Sequence, residues 1–349
     1  MTFISIRRAF IACLLATATG FGCTAGIEPT VAPVFVSSSV PATADTVFVA
    51  SDAWSTRPGA TFELFSAGGG PQPTRLTFCT GCQAISATPS LDRTRVALRR
   101  VDADTNQDTR LDEADRVTLL IVDLARQIEG PFLPGGWSTS SVDWASDGSF
   151  LVHTSSPDGS SDDLYQIDSN ALNNQRILTT PGVRERGARL NAAISRVVYE
   201  RIDGLGAGKS EIWIFGASAS QVKLTDSGIT GELLPGTLYL VGSDAGPDYS
   251  PDGATVVFRR LTSTAVPGGA WDILTVPATG GAPRVLVSGP QFRSTPDWSK
   301  DGIVFSESNA AGGTDIVAVD PATGARRVLQ TFGSGYKAGA PRWIAGIAG

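Results

Sequence analysis

Short apolar segments separated by turn-forming residues run along the chain, and none keeps a helical period over several turns. The clearest unit is Pro247–Phe258, in which a short strand ending in an aromatic residue precedes Ser250–Gly253 (Ser-Pro-Asp-Gly) and an apolar strand. Proline presets φ at the second position of a type I turn, and glycine accepts the left-handed exit. This pattern predicts a β-hairpin, which needs neighbouring copies because it cannot bury its own apolar face.

Four further stretches repeat the hairpin at a spacing of about 45 to 60 residues, which is typical of propeller blades. They are Val142–Val152 and Pro296–Phe305, together with Pro89–Leu98, which lacks the aromatic residue, and Ala188–Tyr199, in which the turn is degraded. Third strands are predicted at Asp162–Asp168, Glu211–Phe215, Trp271–Val276 and Thr314–Asp320, and fourth strands at Arg176–Leu178, Val222–Thr225, Arg284–Val287 and Arg326–Leu329. A repeating four-strand unit predicts an all-β propeller. The alternative is a sandwich or barrel, which does not repeat such a unit.

The two ends of the chain supply complementary parts of one further blade. Thr46–Ala50 matches the second strand of a blade and has no first strand before it, whereas Ala340–Ile344 matches a Pro-x-Trp first strand. Because open sheet edges invite aggregation, we expect the C-terminal strand to complete the first blade. The sequence thus predicts a six-bladed β-propeller over residues 45–349.

The repeat Pro-Asp-Trp-Ser-x-Asp-Gly, followed by an apolar strand and an Asp-Ile strand, resembles the TolB-type propeller repeat. That repeat occurs in periplasmic TolB proteins and in the propeller domains of prolyl oligopeptidase-like peptidases. The resemblance covers about 300 residues and implies a TolB-like six-bladed propeller. It does not fix the function, since propellers serve binding, scaffolding and catalysis. A TolB protein carries a separate α/β domain before its propeller, and we expect none in this chain.

Residues 1–22 are predicted to be a signal peptide, because Arg7 and Arg8 precede an apolar run, Ala9–Ala18, that is too short for a permanent membrane span. Gly20–Cys23 resembles the bacterial lipoprotein cleavage box, which implies that Cys23 carries lipid. The alternative is an ordinary signal peptide with an incidental cysteine. Residues 23–44 are then the lipid anchor and a flexible linker. We therefore expect a lipid-anchored protein of the bacterial cell envelope, in the periplasm or at the outer membrane.

Composition and charge narrow the class of partner. The chain has 39 glycines, 21 prolines and 18% charged residues, as expected for a turn-rich folded protein. Its formal net charge is −6, and no basic patch is visible in the sequence. These features argue against a nucleic-acid partner.

Two of the four cysteines, Cys79 and Cys82, form a Cys-x-x-Cys pair within the predicted propeller. In an oxidising compartment such a pair closes a surface loop as a disulfide. A redox motif needs a thioredoxin-like βαβ context, haem attachment needs a histidine where Gln83 stands, and zinc needs two further ligands. The disulfide is therefore the preferred interpretation.

The only histidine, His153, lies in a predicted strand of the third repeat. A Ser-His-Asp triad would have to use it, yet no G-x-S-x-G elbow accompanies it. One histidine also cannot build a His-rich metal centre. We interpret His153 as an ordinary strand residue and predict no catalytic residue.

An acidic insertion between the second and third strands of the second blade predicts a structural calcium site. Alternating side-chain oxygens in one short turn converge on a point, as in an EF-hand loop, and Ca²⁺ takes six to eight oxygen ligands. Thr109 replaces the usual glycine, and Asp115 is shorter than the usual glutamate. A solvated acidic hairpin is the alternative, although clustered carboxylates repel one another. The predicted ligands are Asp104, Asn106, Asp108, the Arg110 carbonyl, Asp112 and Asp115.

Together these features predict a non-enzymatic, envelope-associated propeller that binds a protein or peptide through its faces or central channel. The rival hypothesis is an enzyme, a lyase or hydrolase that uses the channel or a face, and a third is a purely structural surface protein. An enzyme is expected to cluster histidine, arginine, tyrosine and carboxylate residues on the loops of one face. No such cluster is identifiable in the sequence.

Overall fold

A computed structural model provides the structure of the chain. It describes residues 46–51, 62–67, 73–77, 81–90, 92, 94–109, 111–123, 128–145, 148–157, 161–171, 173–191, 196–216, 220–334 and 337–344. The predicted signal peptide, the lipidation site at Cys23 and the linker up to residue 44 lie outside these residues. Within the described ranges, no helix has the length and apolar character needed to cross a membrane.

The described residues form six antiparallel sheets of four strands each. Sheet 1 contains β1 (Thr46–Ser51), β2 (Phe62–Ala67), β3 (Thr74–Arg75) and β24 (Ala338–Trp343). Sheet 2 contains β4 (Gln83–Pro89), β5 (Arg95–Val101), β6 (Val117–Asp123) and β7 (Ile128–Pro131). Sheet 3 contains β8 (Ser138–Trp144), β9 (Phe150–Ser156), β10 (Asp163–Asp168) and β11 (Asn174–Leu178).

Sheet 4 contains β12 (Val183–Asn191), β13 (Arg196–Asp203), β14 (Ser210–Gly216) and β15 (Gln221–Lys223). Sheet 5 contains β16 (Asp244–Tyr249), β17 (Thr255–Ser263), β18 (Ala270–Pro277) and β19 (Arg284–Val287). Sheet 6 contains β20 (Asp297–Ser299), β21 (Gly302–Ser308), β22 (Thr314–Val319) and β23 (Arg326–Thr331). Sheets 2 to 6 follow chain order, whereas in sheet 1 the C-terminal β24 pairs with β1 and places Trp343 opposite Thr46.

The predicted hairpin turn forms as expected between β16 and β17. The Gly253 amide donates to the Ser250 carbonyl at 2.8 Å, and the Ser250 hydroxyl donates to Asp252 Oδ1 at 2.6 Å. Gly253 has φ of 70°, which glycine adopts without the steric penalty that a Cβ brings. The turn residues thus fix the register that places both strands of the hairpin in one sheet.

Six of the seven clusters of buried apolar side chains among the described residues lie between successive sheets, and the seventh joins sheet 5 to the connection between β15 and β16. In sheets 2 to 6, neighbouring residues of the second strand point to opposite faces, so one belongs to the cluster with the preceding sheet and the next to the cluster with the following sheet. Residues that share a cluster across two sheets include Leu64 with Leu98, Ala97 with Leu151, Val152 with Tyr199, Val198 with Phe258, Val257 with Phe305, and Val304 with Phe48. Each buried large side chain contributes about 1.5 to 3 kcal/mol to stability. This arrangement confirms the predicted all-β propeller fold.

The aspartate of the repeated Pro-Asp-aromatic strand connects one sheet to the next. Asp143 accepts a hydrogen bond from the Leu190 amide at 2.9 Å. Asp248 accepts one from the Trp298 amide at 2.7 Å. Burial raises the pKa of Asp143, and burial together with the negative charge of Asp297 raises the pKa of Asp248 well above its usual range. The motif that predicts a hairpin therefore also supplies a buried polar link between sheets.

Candidate functional site

A cavity of about 740 Å³ is the candidate functional site. Its walls come from sheets 2, 3, 4 and 5 and from the connection between β15 and β16, which carries Leu234 and Tyr239. The volume lies within the range of about 300 to 1,000 Å³ that ligand sites span. Concave sites between several elements are the usual location for ligand binding.

Two of the cavity-lining arginines occupy equivalent positions of the repeat. Arg99 in β5 and Arg259 in β17 are each followed by a second arginine, Arg100 or Arg260. Side chains alternate along a strand, so the second arginine points away from the cavity. Arg260 binds both carboxylate oxygens of Asp244, at 2.6 and 2.8 Å. The first arginine of each pair thus belongs to the site, and the second belongs to the scaffold.

Arg99 is held in place by polar contacts from three directions. Its Nε donates to the Thr139 carbonyl at 3.0 Å, and its Nη1 donates to the Ser86 hydroxyl at 3.1 Å and to Glu113 Oε1 at 3.2 Å. Burial lowers the pKa of Arg99, Glu113 opposes this effect, and the positive charge of Arg186 lowers the pKa further. Arginines on this wall therefore repel one another electrostatically.

Arg184 and Arg186 on β12 share one carboxylate. Arg184 Nη1 and Arg186 Nε each lie 3.4 Å from the same oxygen, Asp162 Oδ2. These separations are long for hydrogen bonds between charged groups, which are usually about 2.7 to 2.9 Å. The negative charge of Asp162 therefore neutralises only part of the positive charge of the two guanidinium groups.

Arg259 is oriented by an aromatic ring. Its guanidinium carbon lies 4.1 Å from the centre of the Trp271 ring, and its Nη1 donates to the Arg293 carbonyl at 2.9 Å. The buried Nε has no hydrogen-bond partner among the described residues. Tyr239 packs edge-on against the same indole, with ring centres 5.5 Å apart. Arg259 is thus a fixed cation for which the described residues provide no ion pair.

The pKa values of Tyr239 and Glu113 both lie far from neutral pH. Burial raises the pKa of Tyr239, and so does the nearby Glu200 carboxylate, which accepts a hydrogen bond from the Tyr239 hydroxyl at 2.8 Å. Burial raises the pKa of Glu113, but the charges of Arg99 and Arg186 outweigh it and hold the pKa below its usual value. Neither group is matched to proton transfer near pH 7, where a general acid or base works best.

The acidic insertion forms part of the cavity wall through Glu113, Ala114 and Asp115. Asp115 Oδ1 accepts hydrogen bonds from the amides of Thr105 at 2.6 Å and Asn106 at 3.2 Å. Burial raises the pKa of Asp115, yet hydrogen bonds from backbone amides outweigh it and lower the pKa. This carboxylate organises the insertion by binding its backbone.

Three of the other predicted calcium ligands, Asp104, Asn106 and Asp112, also accept hydrogen bonds from backbone amides. Asp104 binds the amides of Asp108 and Thr109 through its two oxygens, at 3.2 and 2.8 Å. Asn106 Oδ1 accepts the Asp108 amide at 2.9 Å, and Asp112 Oδ1 accepts the Ala114 amide at 2.8 Å. Arg110 lies outside the described residues. Among those described, no group of three or more acidic, histidine or cysteine side chains is placed to hold a metal ion. Calcium binding therefore stays a prediction.

Titration with Ca²⁺ in a calorimeter tests this prediction. We expect the wild-type protein to release or absorb heat and to gain thermal stability at about millimolar Ca²⁺, the affinity range of extracellular modules. Asp104→Ala/Asp108→Ala should abolish both effects, whereas Asp301→Ala, an exposed turn aspartate elsewhere, should leave them intact. Absence of heat and of stabilisation in the wild type would contradict the calcium hypothesis.

Glu185 lies between the two cavity arginines of β12 but is buried with 0% exposure. Neither carboxylate oxygen has a hydrogen-bond partner at bonding distance among the described residues, and the Thr180 hydroxyl is near enough only to moderate the pKa. Burial raises the pKa of Glu185 from 4.5 to about 7. The folded protein therefore binds more protons than the unfolded chain between these values, and its free energy of unfolding falls as the pH rises through them.

Replacing Glu185 with glutamine should stabilise the protein at pH 8 and change little at pH 4. The amide mimics the protonated acid, and an unpartnered buried polar group costs about 1 to 3 kcal/mol, more when charged. Urea unfolding at both pH values measures the difference, with Glu232→Gln as an exposed control. Equal effects of Glu185→Gln at the two pH values would show that Glu185 does not titrate as proposed.

His153 and Cys82 are not among the residues that line the cavity. His153 is buried in β9, where its ring bonds the Ser155 hydroxyl at 2.8 Å and stacks on Tyr165 at 5.3 Å. Burial lowers its pKa to about 4. This placement fits an ordinary strand residue. Cys82 is buried and disulfide-bonded, but its predicted partner Cys79 lies outside the described residues, so the pairing stays a prediction.

The structure brings together arginine, tyrosine and carboxylate residues in a cluster that was not identifiable in the sequence. The cavity unites Arg99, Asp162, Arg186, Tyr239 and Arg259, which come from separate repeats. Sequence reasoning missed the cluster because these residues lie in strands and in a long connection, not in one insertion. The signal that could have found it is the repeated Arg-Arg pair in β5 and β17.

Solved structures share this fold, although no family model and no curated protein matches the chain. TolB from Acinetobacter baumannii has a TM-score of 0.63 at 15% identity, over 86% of this chain and 66% of that chain. A structure assigned as TolB from Agrobacterium tumefaciens has a TM-score of 0.57 at 14% identity, over 86% of this chain and 98% of that one. The tricorn protease has a TM-score of 0.55 at 14% identity, over 82% of this chain and 26% of that chain. At these identities the likeness establishes a TolB-like propeller fold alone.

Proposed function

We propose that this protein is a non-enzymatic, envelope-associated propeller that binds a protein or peptide partner in the cavity between sheets 2, 3, 4 and 5. The observation that carries the proposal is the cavity itself, whose arginines are held by Trp271 and by backbone carbonyls before any ligand arrives. Pre-organised donors reduce the entropy lost on binding. The TolB structures of similar fold support an envelope role.

We further propose that the six sheets are the six blades of a closed ring, with β24 completing the first blade. The pairing of β24 with β1 and the apolar cluster shared by sheets 1 and 6 support this. A closed ring leaves no long unpaired edge on its inner strands. It also holds the four sheets that line the cavity at fixed positions.

An enzyme is the competing proposal, and the fold likeness to the tricorn protease keeps it open. Against it, the titratable groups Tyr239 and Glu113 on the cavity wall have pKa values displaced from neutrality, and both are tied to neighbouring residues. Arginines bind anions well but do not exchange protons near pH 7. The described lining residues thus favour binding over proton-transfer catalysis.

Site-specific photocrosslinking in cells tests the binding function. A photoreactive amino acid at Leu238, on the cavity wall, should give a discrete adduct with an envelope protein or peptide. The same amino acid at Val328, which is 54% exposed and lies in β23 away from the cavity, should not. Adducts at Val328 but none at Leu238 would contradict a partner in the cavity.

The predicted lipid anchor provides a separate test of location. If Cys23 carries lipid, the protein should partition with membranes and enter the detergent phase, because each buried methylene contributes about 0.8 kcal/mol. Cys23→Ala should move the protein to the soluble envelope fraction, while Cys82→Ala should leave the partition unchanged. A wild-type protein that is wholly soluble would overturn the anchor.

A further inference from the structure

The cavity wall is cationic although the chain as a whole is acidic. Five of the lining residues are arginines and three are carboxylates, whereas the formal net charge of the chain is −6. A cleft that concentrates one sign of charge attracts ligands of the opposite sign. The local excess of positive charge is thus the property of this surface that differs from the rest of the molecule.

The three carboxylates on the wall are already engaged. Asp115 binds backbone amides of its own insertion, Asp162 is shared by two arginines, and Glu113 pairs with Arg99. Arg259 has no ion pair with a carboxylate among the described residues, and its buried Nε lacks a hydrogen-bond partner. A buried or half-buried guanidinium gains most from an added anionic partner.

We infer that the cavity recognises the carboxylate groups of an acidic peptide segment, with Arg259 and Arg186 as the principal contacts, because the Nε of each is buried without a hydrogen-bond partner at bonding distance among the described residues. This inference rests on the proposed binding function and specifies the chemistry of its partner. Guanidinium groups bind carboxylates through two parallel hydrogen bonds, which gives orientation as well as affinity. Arg259 is fixed by the Trp271 ring and the Arg293 carbonyl, and Arg186 is held beside Asp162, so little side-chain entropy is lost on binding.

The aromatic groups favour a peptide over an acidic saccharide. A sugar ring binds by stacking on a free aromatic face, but Trp271 is only 1% exposed, with Arg259 over its ring and Tyr239 against it. Leu238, which is half-buried on the wall, offers apolar surface without a stacking plane. Such a surface suits apolar side chains that alternate with carboxylates along an extended peptide.

Fluorescence anisotropy tests the inference on the purified propeller. The probe is a labelled, amidated hexapeptide, Gly-Phe-Glu-Glu-Phe-Gly, and its neutral counterpart carries glutamine in place of both glutamates. We expect the acidic peptide to bind at least about tenfold more tightly, since a hydrogen bond to a charged group is worth about 1.5 to 3 kcal/mol. Raising NaCl from about 0.05 to 0.3 M should weaken binding, because salt screens the attraction.

Variants identify the contacts. Arg259→Gln and Arg186→Gln should each weaken binding of the acidic peptide about tenfold and leave the neutral peptide unaffected. Arg327→Gln, an exposed arginine outside the cavity, should change neither. Thermal melts of all three variants check folding, and the salt dependence of the wild-type protein tests the charge contribution without any substitution.

The outcomes separate this inference from the binding function. Equal, salt-independent binding of the two peptides would overturn recognition of carboxylates while leaving peptide binding intact. Binding of an acidic oligosaccharide but of neither peptide would overturn the peptide assignment. Absence of binding by the acidic peptide would also overturn it, and the crosslinking experiment at Leu238 then decides separately whether the cavity has any partner.

Discussion

Deletion of residues 338–349 is expected to destabilise the protein by several kcal/mol, a large part of the 5 to 15 kcal/mol that stabilises a typical domain. The deletion removes β24, the partner of β1 in sheet 1. It removes Trp343, which is 7% exposed and donates its indole N–H to the Gly302 carbonyl of sheet 6 at 2.9 Å. The loss exposes the edge of β1 and opens the apolar cluster between sheets 1 and 6.

Urea unfolding and size-exclusion chromatography measure this effect. Trp343→Ala is the milder form of the same change and should cost about 3 to 5 kcal/mol, as expected for removing a large buried side chain. Val328→Ala, at a 54% exposed position of β23, is the matched control and should change stability by no more than about 0.5 kcal/mol. An unaltered unfolding midpoint after loss of β24 would show that this strand is not needed to complete the fold.

The sequence predicted the all-β propeller because its main signal repeats. The apolar second strand recurs in all five hairpins, although Pro89–Leu98 lacks the aromatic residue and Ala188–Tyr199 lacks the Asp-Gly turn, so the clear copies identify the incomplete ones. The predicted boundaries of the strands also agree closely with those in the structure. The predicted Thr314–Asp320, for example, corresponds to Thr314–Val319. Local turn chemistry and the two-residue period of strands are sufficient for this level of prediction.

The site was not predicted, because its residues converge only through the arrangement of whole sheets. Arg99 and Arg259 are 160 positions apart in the sequence and line the same cavity. The connection that carries Tyr239 has no counterpart in the other repeats, and only its packing against Trp271 reveals its role. The sequence of the acidic insertion predicts a calcium site, whereas in the structure its carboxylates Asp104 and Asp115 accept hydrogen bonds from backbone amides.

Replacement of Asp297 by alanine is the second change for which we expect a large effect. One oxygen of Asp297 accepts the Trp343 amide at 2.8 Å, and the other pairs with Arg342, which is 6% exposed. Asp143 and Asp248 make the same link to the next sheet, so the position is a repeated structural element. Without the carboxylate, a buried guanidinium and a buried amide lose their partners together.

Breaking a buried ion pair by removing one member costs about 3 to 5 kcal/mol, so Asp297→Ala should lower the free energy of unfolding by about that amount. Asp301→Ala provides a matched control within the same copy of the motif, because Asp301 is an exposed turn residue that pairs only with exposed Lys300. Surface changes of that kind stay within about 0.5 kcal/mol. A double-mutant cycle of Asp297→Ala with Arg342→Leu, followed by urea unfolding, isolates the coupling. The double variant should be less destabilised than the sum of the two single changes. Strict additivity would show that Asp297 and Arg342 do not act as a pair in joining sheet 6 to sheet 1.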